Sequence, residues 1–238
     1  MRTLGYIPDI IDNRDFILGN YLEKKRLPKI IDYTSQMTGV RDQGKEGTCV
    51  GYATVCGVKE YQDRKEYGDY VTLSPEWVYK ECKKIDGIPD VNGTYIRTAM
   101  KILATKGVPR EWCCKQKIPC AGLDKSGERF KIAGYARISN SIESLKDALY
   151  QTGPLAVGIY IYSNMYEVKL GILPDPEGSP VGGHAICLVG YNDNKEQFRF
   201  KNSWGISWGI NGYGFLPYSY AEKALIDAWT CTDLIVEK

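Results

Sequence analysis

One histidine and eight cysteines bound the nucleophilic chemistry open to this 238-residue chain. The cysteine in the most reactive setting is Cys49, within Gln43-Gly44-Lys45-Glu46-Gly47-Thr48-Cys49-Val50-Gly51-Tyr52-Ala53. A glycine-containing loop leads into it. An apolar run at helical spacing, residues 50–67, leaves from it and stops at Gly68, with Thr48 expected as the N-cap. A thiol in the first turn of a helix faces unpaired N–H groups and the positive end of the helix dipole, and both favour thiolate over thiol. Any imidazole base for that sulfur must be His184, which follows Gly182-Gly183 and opens a strand-like run. Further on comes Lys201-Asn202-Ser203-Trp204-Gly205, then Trp208-Gly209. The Asn202 amide can orient an imidazole, and Trp204 beside it can shield that bond from water. Gln43 can donate its side-chain N–H to an oxyanion forming beside the backbone N–H of Cys49.

Two kinds of element have to bring these groups together. In the first half, Ser74-Pro75-Glu76 is a cap, a proline at the first helical position and an acid in the first turn, which predicts a helix to about Lys83. Residues 94–106 read as another helix, stopped by Gly107 and Pro109. In the second half a short helix over 141–151 closes at Gly153-Pro154. Strand-like runs follow at 155–162, 184–191, 197–201 and 213–216, separated by Gly, Pro, Asn and Asp turns. Helices first and strands afterwards predict an α+β chain with segregated lobes, so Cys49 and His184 must meet across a lobe interface.

Composition excludes several classes. The chain is 43% apolar and 25% charged, with 31 basic and 29 acidic residues and a net charge of +2. It can bury a substantial core, and no basic face marks a nucleic-acid partner. The longest uncharged run, 150–166, contains Pro154 and reads as a turn and strand, so no membrane partner is expected. The N-terminus lacks a long apolar core, which predicts no signal peptide and a cytoplasmic location unless a leader precedes the chain. Eight cysteines are too sparse for a disulfide scaffold. Cys56, on the same helix face as Cys49, and Cys187 read as core. Cys82, Cys113, Cys114 and Cys120 admit a disulfide or, less readily, zinc, although their spacing is not that of a paired metal site. No cofactor and no metal are expected. Residues 1–28 read as an extension preceding a main unit over 29–238, divided into a helical lobe over about 40–130 and a β lobe over about 131–217 with the C-terminal segment packing back.

The set Gln43…Cys49, Gly183-His184-Ala185 and Lys201-Asn202-Ser203-Trp204-Gly205…Trp208-Gly209 resembles the papain-like cysteine peptidases over about residues 29–217. The resemblance implies a two-lobe fold, with the nucleophile on the helical lobe and the His and Asn on an antiparallel β-barrel lobe. It implies Cys49 as nucleophile, His184 as acid and base, Asn202 as orienter, Gln43 as oxyanion donor and Trp204 as the shield. A thiolate–imidazolium pair, its thiol pKa brought to roughly 3–4, would attack the carbonyl of a peptide or protein substrate. Asn92, Gly93 and Thr94 resemble the loop that binds substrate backbone at P2. Ile96, Gly158 and Ala185, with Gly183 before the histidine, imply an S2 pocket preferring a bulky apolar side chain. Glu46 stands where most plant and animal members carry a cysteine, and Val91 where its disulfide partner would be. An endopeptidase is the leading reading; a thiol acyltransferase or ligase and a non-catalytic peptide binder share the same cleft. For residues 1–28 two readings stand level: a self-inhibitory strap in the cleft, released near Lys24-Lys25-Arg26, or a packed extension.

Overall fold

The structure, a computed structural model, describes residues 3–116, 130–168 and 170–232. Cys49 opens α1 (Cys49–Gly51), which continues without a break through a π-helical stretch (Tyr52–Lys59) into α2 (Glu60–Tyr67). Gly68 ends the run at φ 73°, a left-handed cap that glycine takes without a Cβ penalty. Residues 49–63 are all buried, so this helix is the core axis of the molecule rather than an amphipathic surface helix. Thr48 occupies the N-cap position, but its backbone is not extended and its side chain makes no capping bond.

Three further helices match the start and stop signals closely. In α3 (Pro75–Lys83) the Ser74 hydroxyl accepts from the Trp77 N–H at 3.3 Å, with proline in the first turn. Ser74 is buried, so Ser74→Ala removes the acceptor and leaves that N–H unpaired. The expected cost is about 1 kcal/mol, read in thermal denaturation as a fall of about 3 °C. α4 (Ile96–Thr105) ends just before Gly107, and α5 (Glu111–Lys115) follows. α6 (Ile142–Thr152) is capped by the Ser141 hydroxyl and closed by Gly153. A last helix, α7 (Tyr218–Ala224), carried no sequence signal.

The strands are β1 (Ile30–Asp32), β2 (Gly134–Ile138), β3 (Leu155–Tyr162), β4 (Pro180–Asn192), β5 (Gln197–Lys201), β6 (Tyr213–Pro217) and β7 (Leu225–Thr232). They form one antiparallel sheet in the order β2-β7-β3-β4-β5-β6, with β1 paired to the end of β4. The α+β class holds, but the expected β-barrel does not: β2 and β6 lie at opposite ends of the order and do not pair. Each outer edge is covered by a non-sheet segment instead. The Arg137 N–H on β2 donates to the Phe16 carbonyl at 2.8 Å. On β6, the Phe215 N–H donates to the Gly171 carbonyl at 2.8 Å and the Phe215 carbonyl accepts from the Leu173 N–H at 3.0 Å. These bonds occupy edge groups that closure of the sheet would otherwise have to pair. The C-terminal β7 lies inside the sheet, between β2 and β3. Two buried apolar clusters flank the strands: one centres on the Cys49 helix, the other on α6, α7 and the remaining sheet face.

Candidate active site

The site lies where the N-terminus of the Cys49 helix abuts β4. Cys49 and His184 are both fully buried, and the Ala185 N–H donates to Cys49 Sγ at 3.4 Å. Pairing of β4 with β5, Cys187 opposite Lys201, carries Asn202 to the end of β5 beside His184. His184 Nε2 and Asn202 Oδ1 are 2.9 Å apart. Asn202 Oδ1 also accepts from the Ser203 N–H at 2.8 Å, which fixes it as an acceptor. The hydrogen between ring and amide therefore sits on Nε2, and in the neutral ring Nδ1 keeps its lone pair. Nδ1 is buried and has no hydrogen-bond partner among the described residues. Trp204 stacks on the imidazole at 4.5 Å with 26° between the planes, and Trp208 meets Trp204 edge-on.

Gln43 joins this group through a contact that sequence spacing gave no sign of. Its Oε1 accepts from the Ser203 hydroxyl at 2.5 Å and its backbone N–H donates to the Ser203 carbonyl at 2.9 Å. The amide is thereby oriented with Nε2 inward, donating to the Glu46 carbonyl at 2.8 Å and the Thr3 carbonyl at 3.2 Å. Ser203 is thus a positioning residue that the sequence reading missed, although it adjoins Asn202. Glu46 is exposed, and Val91 is exposed as well.

The second bond from Gln43 shows what fills the cleft. Residues 3–9 run through it as an extended strap. The Tyr6 N–H donates to the Gly183 carbonyl at 3.1 Å. Thr94 accepts from the Ile7 N–H at 3.1 Å and donates to the Gly5 carbonyl at 3.0 Å, the pattern of a parallel bridge. The Gly5 N–H is among the backbone groups that pull the Cys49 thiol pKa down. Fit is close enough that a Cβ on Gly5 would lie 2.0 Å from the Gly47 carbonyl oxygen, and one on Gly93 would lie 2.7 Å from the Gly5 oxygen. Asn92 does not touch the strap in this way; its Oδ1 accepts from the Gly47 N–H at 2.9 Å and braces the cysteine loop. The Tyr6 ring fills the space left by Gly158 and Gly183, and it shares a buried cluster with Ile96 and Ala185.

Filling the cleft reverses the electrostatics expected from a helix N-terminus. Burial pushes the Cys49 thiol up to about 11, against the pull of the Ala185, Gly5 and Val50 N–H groups. Burial likewise pushes His184 down to about 4, against its bond to Asn202. With the strap in place burial favours the neutral thiol and the neutral imidazole over the ion pair, because desolvation outweighs the local donors.

Beneath the site, Arg41 pairs with Glu60 and with Glu111, the latter at 3.0 Å, and Lys201 Nζ donates to the Thr38 and Cys56 carbonyls at 2.8 Å each. These buried charges are compensated and hold β5 against the Cys49 helix. Cys56 and Cys187 are buried free thiols. Cys82 and Cys113 are free thiols too, so the disulfide considered for that cluster does not join them; Cys120 lies outside the described residues. No group of metal-ligating side chains occurs among the described residues. No helix among them is long and apolar enough to cross a membrane.

The model of the family described as papain family cysteine protease matches residues 27–228. The chain belongs to that family. It is a cysteine peptidase by this membership, and its substrates are peptides or proteins. Xylellain, a cysteine protease from Xylella fastidiosa, superposes with a TM-score of 0.86 at 28% identity, covering 97% of this chain and 96% of that one. An uncharacterised peptidase C1-like protein of Acanthamoeba polyphaga mimivirus is 28% identical over 96% of this chain and 86% of its own length. Chymopapain from Carica papaya is 30% identical over 85% of this chain, which spans 57% of that protein. Procathepsin L 3 of Tenebrio molitor shares the fold, with a TM-score of 0.73 at 24% identity.

Proposed function

We propose that this cysteine peptidase is an endopeptidase that works through Cys49, His184, Asn202 and Gln43, and that its own residues 3–9 hold it inactive. The observation carrying the reading is that the cleft already grips a peptide. Gly183 and Thr94 bond its backbone, Gln43 Nε2 meets a peptide carbonyl, and the Cys49 sulfur lies beneath it. The gripped peptide is not a substrate in this pose. What Gly5 presents to the sulfur is the pull of its N–H, a donor.

Once the strap leaves, water re-enters and the desolvation that keeps the pair neutral is relieved. The Cys49 proton passes to His184 Nδ1, the lone pair that Asn202 leaves free by holding the Nε2 hydrogen. The thiolate adds to the substrate carbonyl carbon, and the oxyanion is met by Gln43 Nε2 and the Cys49 N–H. His184 returns its proton to the leaving amine. Water, deprotonated by the same ring, then hydrolyses the thioester and restores the thiol. Asn92, Gly93 and Thr94 shape the edge along which substrate backbone lies, Gly183 offers its carbonyl, and Trp204 keeps water from the His–Asn bond. The pocket beside the sulfur, walled by Ile96, Gly158 and Ala185, takes a bulky P2 side chain. Release of the strap by cleavage near Lys24-Lys25-Arg26 is supported by the exposure of all three residues.

Labelling with a thiol-reactive peptidyl epoxide, followed by peptide mapping, tests the site. In a full-length Gly5→Ile variant, whose side chain would collide with the Gly47 backbone, the label is expected on Cys49 before any other cysteine. The same label should be lost in Gly5→Ile/His184→Ala. Even labelling across the cysteines, or labelling indifferent to His184, would overturn the assignment.

A further inference from the structure

The pocket beside Cys49 has a floor that the motif residues did not reveal. Gly158 on β3 pairs with Asp227 on β7, and Asp227 is fully buried. The Tyr6 ring enters over Gly158, where a Cβ would lie 2.1 Å from its Cζ, and its hydroxyl donates to Asp227 Oδ2. The same oxygen accepts from the Asp9 N–H at 2.9 Å. Asp227 Oδ1 is held by Arg137. The carboxylate is thus oriented from behind by β2, and among the described residues Oδ2 accepts from the strap groups Tyr6 and Asp9.

We propose that Asp227 is a specificity-determining residue, and that the pocket selects a tyrosine at P2 by accepting a hydrogen bond from its hydroxyl. The inference rests on the peptidase reading above and narrows its apolar pocket to one side chain. When the strap leaves, Oδ2 loses both donors. A leucine or phenylalanine would bury that oxygen unpaired, whereas a tyrosine restores the bond at the depth Tyr6 reaches. Tyr6 enters on a chain running parallel to Thr94, but depth and acceptor belong to the pocket and not to the direction of the backbone above it.

An acidic floor alone would suit lysine or arginine equally, and the surrounding charges argue against that. Arg97 and Arg137 both lie over the Trp229 ring, at 5.5 and 5.7 Å. In the strapped form Asp15 pairs with both, at 2.5 and 3.4 Å, and the Asp9 carboxylate accepts from the Arg97 N–H. Asp9 belongs to the strap and leaves with it, whereas Asp15 lies beyond the strap and stays on Arg97. With Asp227 paired to Arg137 and Asp15 to Arg97, a basic P2 side chain finds no uncompensated carboxylate, while a neutral phenol needs only an acceptor.

The test uses full-length Gly5→Ile with peptides differing only at P2. The expected order in kcat/KM is tyrosine above phenylalanine by about tenfold or more, with arginine and lysine below both. Asp227→Ala in the same background should bring the tyrosine-to-phenylalanine ratio to about one. Phenylalanine or arginine cleaved as well as tyrosine would overturn the proposal while leaving the peptidase reading intact. Cleavage of no peptide would count against the peptidase reading instead. The pocket is then read without turnover: in the otherwise unaltered chain, Tyr6→Phe should raise the rate of Cys49 labelling about tenfold. An unchanged rate would overturn the role of Asp227.

Discussion

Replacing His184 with alanine in the Gly5→Ile background lowers kcat/KM for peptide cleavage by about ten-thousandfold. The magnitude follows from the chain holding a single histidine. With it gone, nothing removes the Cys49 proton, nothing protonates the leaving amine, and the residual rate rests on binding and the oxyanion donors alone. Cys49→Ala gives a similar loss, and the double variant is no worse than either single one, because the two groups act as a unit. Gln43→Ala costs less, about a hundredfold to a thousandfold, since the Cys49 N–H still meets the oxyanion. Steady-state kinetics on one fluorogenic peptide checks the whole series. A His184→Ala loss of only a few-fold would mean that the base lies elsewhere.

Opening the cleft is the second large effect. Full-length Gly5→Ile is expected to cleave peptide at least a hundredfold faster than the unaltered chain at pH 7. Three backbone hydrogen bonds, at 3.0–3.1 Å to Gly183 and Thr94, and the Tyr6–Asp227 contact hold the strap in place. The side chain at position 5 has no space beside the Gly47 carbonyl. Equal rates for the two proteins would show residues 3–9 to be a packed extension without inhibitory role. Acidity should tighten the closure. Asp9 is buried beside Asp227, with Arg97, Arg137 and Tyr6 around it, and burial followed by the Asp227 charge pushes its carboxyl up to about 7. A docked-state pKa above the free value of 3.8 means that the docked strap binds a proton which the released strap gives up. Docking is therefore strongest below about pH 4 and weakens as pH rises towards 7, by up to about tenfold per unit. Cys49 labelling of the unaltered chain should accelerate across that window by more than thiol ionisation accounts for, and Asp9→Asn should remove the excess.

Local signals in the sequence carried the helical half well. Ser74-Pro75 places a cap whose hydroxyl makes the expected bond, and Gly68, Gly107 and Gly153 take positive φ just past the ends of their three helices. These depend on neighbours in the chain. Strands β2 and β7 went unread: Gly-Tyr-Ala-Arg-Ile is too short and mixed to show a clean period, and Leu-Ile-Asp-Ala-Trp-Thr-Cys-Thr is buried on both faces and loses its alternation. Barrel closure was expected and is absent, since edge pairing depends on which segments reach the edges. Here 16–17 and 171–173 reach them first.

The sequence by itself determined which groups the proposed chemistry draws on: a cysteine at a helix start, the chain's one imidazole, an asparagine and a glutamine at spacings that a peptidase family shares. Residue type sets what chemistry is available, and type is written in the chain. Only the tertiary structure decided their state and their surroundings. It placed residues 3–9 in the cleft beside the sulfur, buried the pair so that the neutral forms are favoured, and set Asp227 under the pocket that Tyr6 fills. Desolvation and charge pairing depend on distances between residues more than two hundred positions apart, such as Tyr6 and Asp227, and no local pattern encodes those.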